Sequence, residues 1–175
     1  MARPADDRDF RLPPGVRPHR YDAFLSLDLA QGGFEGRVRI GLELEQPQAE
    51  IVLHGAGLAV SRATLRASGG ERPVRVEARP ASETLVFRPG APLPAGRVEL
   101  EVEWSGRFNA GLRGLYRAGP LAATQFEASD ARRVFPCLDE PAFKAPWALT
   151  LEVPRGAVAL ANGRERSRAP RGDRV

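Results

Sequence analysis

The chain has 175 residues, of which 42% are hydrophobic and 27% charged, a composition unlike those of collagen-like, disordered or membrane-spanning proteins. A compact chain of this length buries roughly 70% of its unfolded surface, which is enough for one domain with its own core. The net charge of +4 would suit nucleic acid, but many arginines alternate with acidic residues, as in Arg97-Val98-Glu99. Such alternation is typical of solvated strands, so we expect no nucleic-acid partner.

Three features of the sequence predict the cellular compartment of the protein. Residues 1–10 are charged and lack an apolar run, so we expect a flexible segment there without a signal peptide, and one domain over residues 11–175. No apolar run approaches the ~20 residues of a membrane helix, so we expect no membrane partner. Cys137 is the only cysteine, which excludes an internal disulfide. These features predict a cytoplasmic protein.

Alternation of apolar and polar residues dominates the chain and predicts strands with one buried and one solvated face. The three strongest candidates, in chain order, are residues 21–29, 36–45 and 97–104. Weaker candidates are residues 51–54, 58–61, 74–78, 84–87, 149–153 and 158–161. Short strands separated by turn residues predict an all-β fold, an antiparallel sandwich or curved sheet. We expect only short helical turns, between Asp130 and Phe143.

Metal-binding and nucleophilic side chains are too scarce to predict a catalytic centre within this chain. The only histidines are His19 and His54, whereas a zinc site needs three or four placed ligands. Cys137 has apolar neighbours and is expected to be a buried structural thiol, although a histidine could approach it in the fold. We therefore predict no metal site and no catalytic residue.

The irregular stretch over residues 109–147 is where binding residues are expected, because loops on a rigid scaffold often carry function. Asp139 and Glu140 are adjacent, so they point to opposite sides and are interpreted as a turn whose carboxylate accepts backbone or arginine hydrogen bonds. Gln125 and Glu127 would share one face if residues 123–128 are extended, with Phe126 anchored in the core. That pair could bind a cation or a peptide terminus, or could simply be solvated.

The run TQFEASDARRVFPCLDEPAFKA at residues 124–145 closely resembles the signature of the N-terminal domain of the aminopeptidase N family of zinc metallopeptidases. Further matching segments are R-L-P at residues 11–13, F-E-G at 34–36, I-V-L-H at 51–54 and R-G-L-Y-R at 113–117. The resemblance therefore extends from about residue 10 to residue 162, in order and with plausible spacing.

This resemblance implies a saddle-shaped, mostly antiparallel β-domain that packs against a thermolysin-like catalytic domain of the same parent chain. The family's zinc motif, H-E-x-x-H, would lie beyond this segment, so zinc would belong to the parent and the segment alone would be inactive. By the same resemblance, Glu127 helps to bind the free α-amine of a peptide substrate and Gln125 lines the first side-chain pocket. A carboxylate facing an ammonium in a desolvated cleft favours a free N-terminus.

A second class of function stays open, namely a non-catalytic β-sandwich binding or interaction module. The chain would also end before the family's last strand. We therefore expect exposed apolar surface and possible self-association.

Overall fold

The computed structural model describes residues 11–175, and the flexible segment predicted at residues 1–10 lies outside them. The strands are β1 (Val16–Asp28), β2 (Gly33–Leu44), β3 (Ile51–His54), β4 (Ala59–Ala67), β5 (Gly70–Pro73), β6 (Arg75–Arg79), β7 (Thr84–Arg88), β8 (Gly96–Arg107), β9 (Gly114–Ala118), β10 (Leu121–Gln125) and β11 (Trp147–Glu152). Two 3₁₀ turns, Pro80–Ser82 and Ala131–Arg133, are the only helical elements in this range. No helix there could cross a membrane.

The main sheet has six strands in the order β11-β1-β2-β8-β4-β5. The three strongest predicted strands are its centre, where β2 pairs antiparallel with both β1 and β8. Val38, Ile40 and Leu42 are fully buried on one face. On the other face Arg39 Nε donates to Glu101 Oε2 at 2.8 Å. The predicted solvated face is therefore a set of cross-strand ion pairs.

A second sheet has the order β3-β7-β6, and β9 and β10 form a separate two-stranded ribbon. Apolar residues of both larger sheets, such as Ile40 and Leu100 of the main sheet and Leu53 and Phe87 of the second, belong to one hydrophobic core. The all-β prediction is confirmed, and the 3₁₀ turn Ala131–Arg133 lies where short helical structure was expected. The turn Pro80–Ser82 was not anticipated.

The strand predicted at residues 158–161 is wrong. Val158 and Leu160 are 74% and 87% exposed, and this stretch pairs with no strand of the described chain. The chain leaves the sheet after β11 and returns only at its end, where Val153 and Val175 exchange backbone hydrogen bonds of 2.8 and 2.9 Å. An alternating pattern without a neighbouring strand does not make a strand, because the ladder hydrogen bonds are missing.

The outer strand β11 differs from the antiparallel remainder of the main sheet. It pairs parallel with β1, in the register Tyr21↔Trp147 and Leu25↔Leu151. The Trp147 ring stacks on the Tyr21 ring at a centroid distance of 4.1 Å. This pairing brings the chain that follows the irregular stretch back to the edge of the sheet.

Candidate functional site

The ribbon β9–β10 delivers Gln125 to the surface. Its antiparallel register runs from Leu121↔Ala118 to Gln125↔Gly114, and Gln125 is the last residue of β10. Beyond it, the Asp130 N–H donates to the Phe126 carbonyl at 2.9 Å and closes a turn. The extended conformation considered for residues 123–128 therefore ends at Gln125, and Glu127 lies on the turn rather than on the strand.

Gln125 and Glu127 nevertheless lie next to each other, and Phe126 between them is anchored as predicted. The Gln125 Oε1 atom accepts a hydrogen bond from the Glu127 N–H at 3.0 Å. Phe126 is half-buried, packs against the core and contacts Phe135 edge-on at a centroid distance of 6.2 Å. Gln125 and Glu127 are both exposed. Within residues 11–175 the Glu127 carboxylate has no hydrogen-bond or ion-pair partner, so it can receive a cationic ligand.

Phe126 packs against a cluster of aromatic side chains that is centred on Phe135. The Phe135 ring contacts Trp104 at 6.2 Å and Trp147 at 5.2 Å, both edge-on. The Trp104 indole N–H donates to the Val134 carbonyl at 3.0 Å. Gly36 lies opposite Trp104 in the sheet, and a Cβ there would collide with the indole ring. Glycine at this position therefore lets the ring lie across β2 and support the segment that carries Phe135.

The stretch after Glu127 is held by a network of ion pairs. Arg132, whose side chain is only 5% exposed, donates from Nε to Asp139 Oδ2 at 3.0 Å, and its backbone N–H donates to the same oxygen at 3.2 Å. Glu140 Oε1 accepts from the Leu12 N–H at 2.7 Å. The two adjacent carboxylates thus serve different parts of the chain, and their interpretation as a hydrogen-bonded turn is confirmed.

Comparison with known proteins identifies the fold that carries this site. Residues 17–174 match the sequence model of a protein family, the peptidase M1 N-terminal domain. The chain belongs to this family. It is 41% identical over 160 residues to Aminopeptidase M1-D of Oryza sativa subsp. japonica, a match covering 87% of this chain and 18% of that protein. It is 33% identical over 166 residues to Endoplasmic reticulum aminopeptidase 1 of Homo sapiens, again with 87% and 18% covered. The chain thus spans about 18% of these relatives.

His54 and Cys137 meet in this M1 N-terminal domain, but not as a catalytic pair. Their backbones exchange two hydrogen bonds, of 2.8 and 3.1 Å. The His54 Nδ1 atom accepts from the Asp139 N–H at 3.1 Å, so it is not available as a base toward the thiol. Cys137 is 3% exposed, and burial raises the pKa of its thiol. The prediction of a buried structural thiol is confirmed.

The buried thiol should react slowly. We expect iodoacetamide at neutral pH to label Cys137 of the folded domain at least tenfold more slowly than in denaturant, because the raised pKa and the burial both lower the concentration of accessible thiolate. Mass spectrometry of the intact chain over time measures both rates. Equal rates with and without denaturant would contradict the burial of this side chain.

The described part of this M1 N-terminal domain offers no ligand set that fits a zinc ion. Among the described residues no group of three or more His, Cys, Asp or Glu side chains is placed to hold a metal. His54 is buried with Nδ1 engaged, and the exposed His19 lies over Gly41.

Sequence reasoning missed two residues close to this site, Arg133 and Glu83. Arg133 Nη2 donates to Glu83 Oε1 at 2.9 Å, a contact between residues 50 positions apart. The doubled arginine Arg132-Arg133, close to Asp130 and Asp139, was the available signal, since several charges beside an apolar segment require partners. Glu83 offers no comparable local signal.

Proposed function

We propose that this domain is the substrate-gating part of a zinc aminopeptidase, in which it binds the N-terminus of a peptide and cannot cleave peptides alone. The observation that carries the proposal is the exposed carboxylate of Glu127, which has no partner among the described residues and follows the anchored Phe126 in a domain of this family. The names of the relatives given above, both aminopeptidases, support the class of reaction. The whole enzyme would comprise this domain and a thermolysin-like catalytic domain of the same chain.

Glu127 is proposed to bind the α-ammonium group of the substrate. A carboxylate that is not already neutralised retains its full attraction for a cation, and that attraction grows when the cleft is closed to water. Gln125 is proposed to line the pocket for the first side chain. It also accepts the Glu127 N–H, which fixes the backbone from which the carboxylate projects. A blocked N-terminus carries no charge and would leave this carboxylate unpaired, so free N-termini are favoured.

The zinc ion of the proposed enzyme would be bound outside this segment. The described residues do not fit a zinc site, so none of them is assigned a role toward the metal. Because substrate binding is assigned to this domain and zinc to another, cutting the chain between the domains should separate substrate binding from catalysis.

The direct test compares the full-length protein with the 175-residue chain. We expect the full-length protein to release amino acids from aminoacyl reporter substrates and to contain stoichiometric zinc by atomic emission. The 175-residue chain should show neither property after dialysis against a chelator. A full-length protein without aminopeptidase activity would contradict the proposal and favour the non-catalytic binding module. Activity in the short chain would contradict its division of roles.

Gln125→Ala in the full-length enzyme should lower kcat/KM by a few-fold to tenfold. The change removes a neutral contact to the substrate and one hydrogen bond of about 1 kcal/mol to the Glu127 backbone. The loss should vary with the first side chain of the substrate, which a panel of aminoacyl reporters measures. A uniform loss across the panel would show that Gln125 supports Glu127 without lining the pocket.

A further inference from the structure

Arg133 directly contacts one end of residues 125–130, the segment that carries Gln125 and Glu127. Its Nε atom donates to Asp130 Oδ1 at 2.6 Å, and the Asp130 side chain is only 8% exposed. Asp130 in turn closes the turn through its N–H bond to the Phe126 carbonyl. The hydrogen bond to Asp130 raises the pKa of the Arg133 guanidinium. One end of residues 125–130 is thus tied to Arg133.

The other end of the segment rests on the same side chain. Gly114 is the register partner of Gln125, and it adopts a φ of +63°. A Cβ added at Gly114 would lie 2.9 Å from the Arg133 Cβ, so the arginine stem occupies the space that a side chain would need. The aliphatic part of Arg133 therefore packs beneath the strand pair that ends in Gln125.

Arg133 also joins this segment to a different sheet. Its Nη2 atom donates to Glu83 Oε1 at 2.9 Å, and Glu83 directly precedes β7. Glu83 has a φ of +52°, a conformation that non-glycine residues rarely adopt. Its carbonyl accepts the Gly55 N–H at 2.8 Å, which holds this backbone against the end of β3. The guanidinium therefore bridges Asp130, beside the site, and Glu83, which directly precedes strand β7 of the second sheet.

We propose that Arg133 is a positioning residue for recognition of the substrate amine, which fixes residues 125–130 to the second sheet so that the Glu127 carboxylate is held in place. The inference rests on the proposed function of Glu127. Arginine suits the task because its planar guanidinium reaches two carboxylates at once, whereas lysine offers one compact ammonium. The ribbon β9–β10 pairs with neither larger sheet, and the Arg133 stem beneath Gly114 adds to the buried Leu115 in supporting the end that carries Gln125.

The test is a double-mutant cycle in the full-length enzyme with Arg133→Met and Glu127→Gln. Arg133→Met should lower kcat/KM for free-amine substrates by roughly 10- to 100-fold, as expected when a binding group is displaced by about an ångström. The loss should appear mainly in KM. The double variant should be no worse than Glu127→Gln alone within about twofold, because Arg133 acts through Glu127.

A second readout separates positioning from general stability. An amino-acid amide and its counterpart without the α-amine serve as competitive inhibitors, and the ratio of their inhibition constants reports amine recognition. Arg133→Met should reduce this ratio, whereas loss of folded enzyme would lower activity without changing it. Arg133→Lys, which keeps one of the two contacts, should recover part of the ratio. If Arg133→Met does not fold, Arg133→Lys replaces it in the double-mutant cycle with Glu127→Gln.

Arg88→Met is the matched control. Arg88 also pairs with two carboxylates, Glu50 at 2.5 Å and Glu77 at 3.4 Å, but at the far end of β7 from Glu83. The Arg88→Met variant should leave the ratio of the two inhibition constants unchanged. Losses from Arg133→Met and Glu127→Gln that multiply, or an unchanged ratio in Arg133→Met, would overturn the positioning role while leaving Glu127 in its role. A Glu127→Gln variant with wild-type activity would overturn both proposals.

Discussion

Glu127→Gln in the full-length enzyme is expected to lower kcat/KM for free-amine substrates by roughly 30-fold or more. The substitution keeps the size and hydrogen-bonding atoms of the side chain but removes its charge. Loss of one partner of a desolvated charge pair costs about 2–5 kcal/mol, and each 1.4 kcal/mol is about tenfold. Because the carboxylate has no partner within residues 11–175, the change should not disturb the fold. Steady-state kinetics on aminoacyl reporters measure the loss.

The preference for a free over an acetylated N-terminus should shrink in the same variant. The matched control is Glu99→Gln on β8, where the carboxylate is paired with Arg66 at the surface at 3.4 Å and lies in the main sheet. This control should change kcat/KM little, since exposed ion pairs contribute about 0–1 kcal/mol. If Glu127→Gln retains wild-type kcat/KM with intact fold and zinc content, Glu127 is a solvated carboxylate on a turn and not the amine-binding group.

Arg132→Met should destabilise the domain more than any change to its surface ion pairs. The Arg132 side chain is 5% exposed and its main partner, Asp139, is 14% exposed. Removing one partner of a buried pair leaves an uncompensated charge and costs about 3–5 kcal/mol. For a domain of this size that corresponds to a fall in Tm of roughly 6–20 °C. Thermal unfolding followed by circular dichroism measures the shift.

Two further variants make this second result specific. Arg39→Met is the same substitution at an exposed pair, with Arg39 49% exposed and 2.8 Å from Glu101, and it should cost less than about 1 kcal/mol. Arg132→Met combined with Asp139→Leu should be more stable than Arg132→Met alone, since no unpaired charge then remains buried. A Tm of Arg132→Met equal to that of Arg39→Met would show that the Arg132–Asp139 pair contributes little.

The alternation of apolar and polar residues was sufficient to predict the central strands of the main sheet. Val38, Ile40 and Leu42 of β2 alternate with polar residues because a strand turns successive side chains to opposite faces, and one face is buried. The same pattern at residues 158–161 predicted a strand that the structure does not form, since alternation states which side could be buried but not whether a neighbouring strand exists. The period within a segment is local information, whereas pairing is not.

The candidate site shows the same division. The sequence by itself placed Gln125 and Glu127 on either side of a core-anchored Phe126, and its resemblance to a known family supplied a role for each. Only the tertiary structure decided that β10 ends at Gln125, that Glu127 lies on a turn, and that Arg133 reaches Glu83. Side chains 50 positions apart meet because sheet packing brings their backbones together. No periodicity within either segment records that contact, so distances between distant segments had to come from the fold.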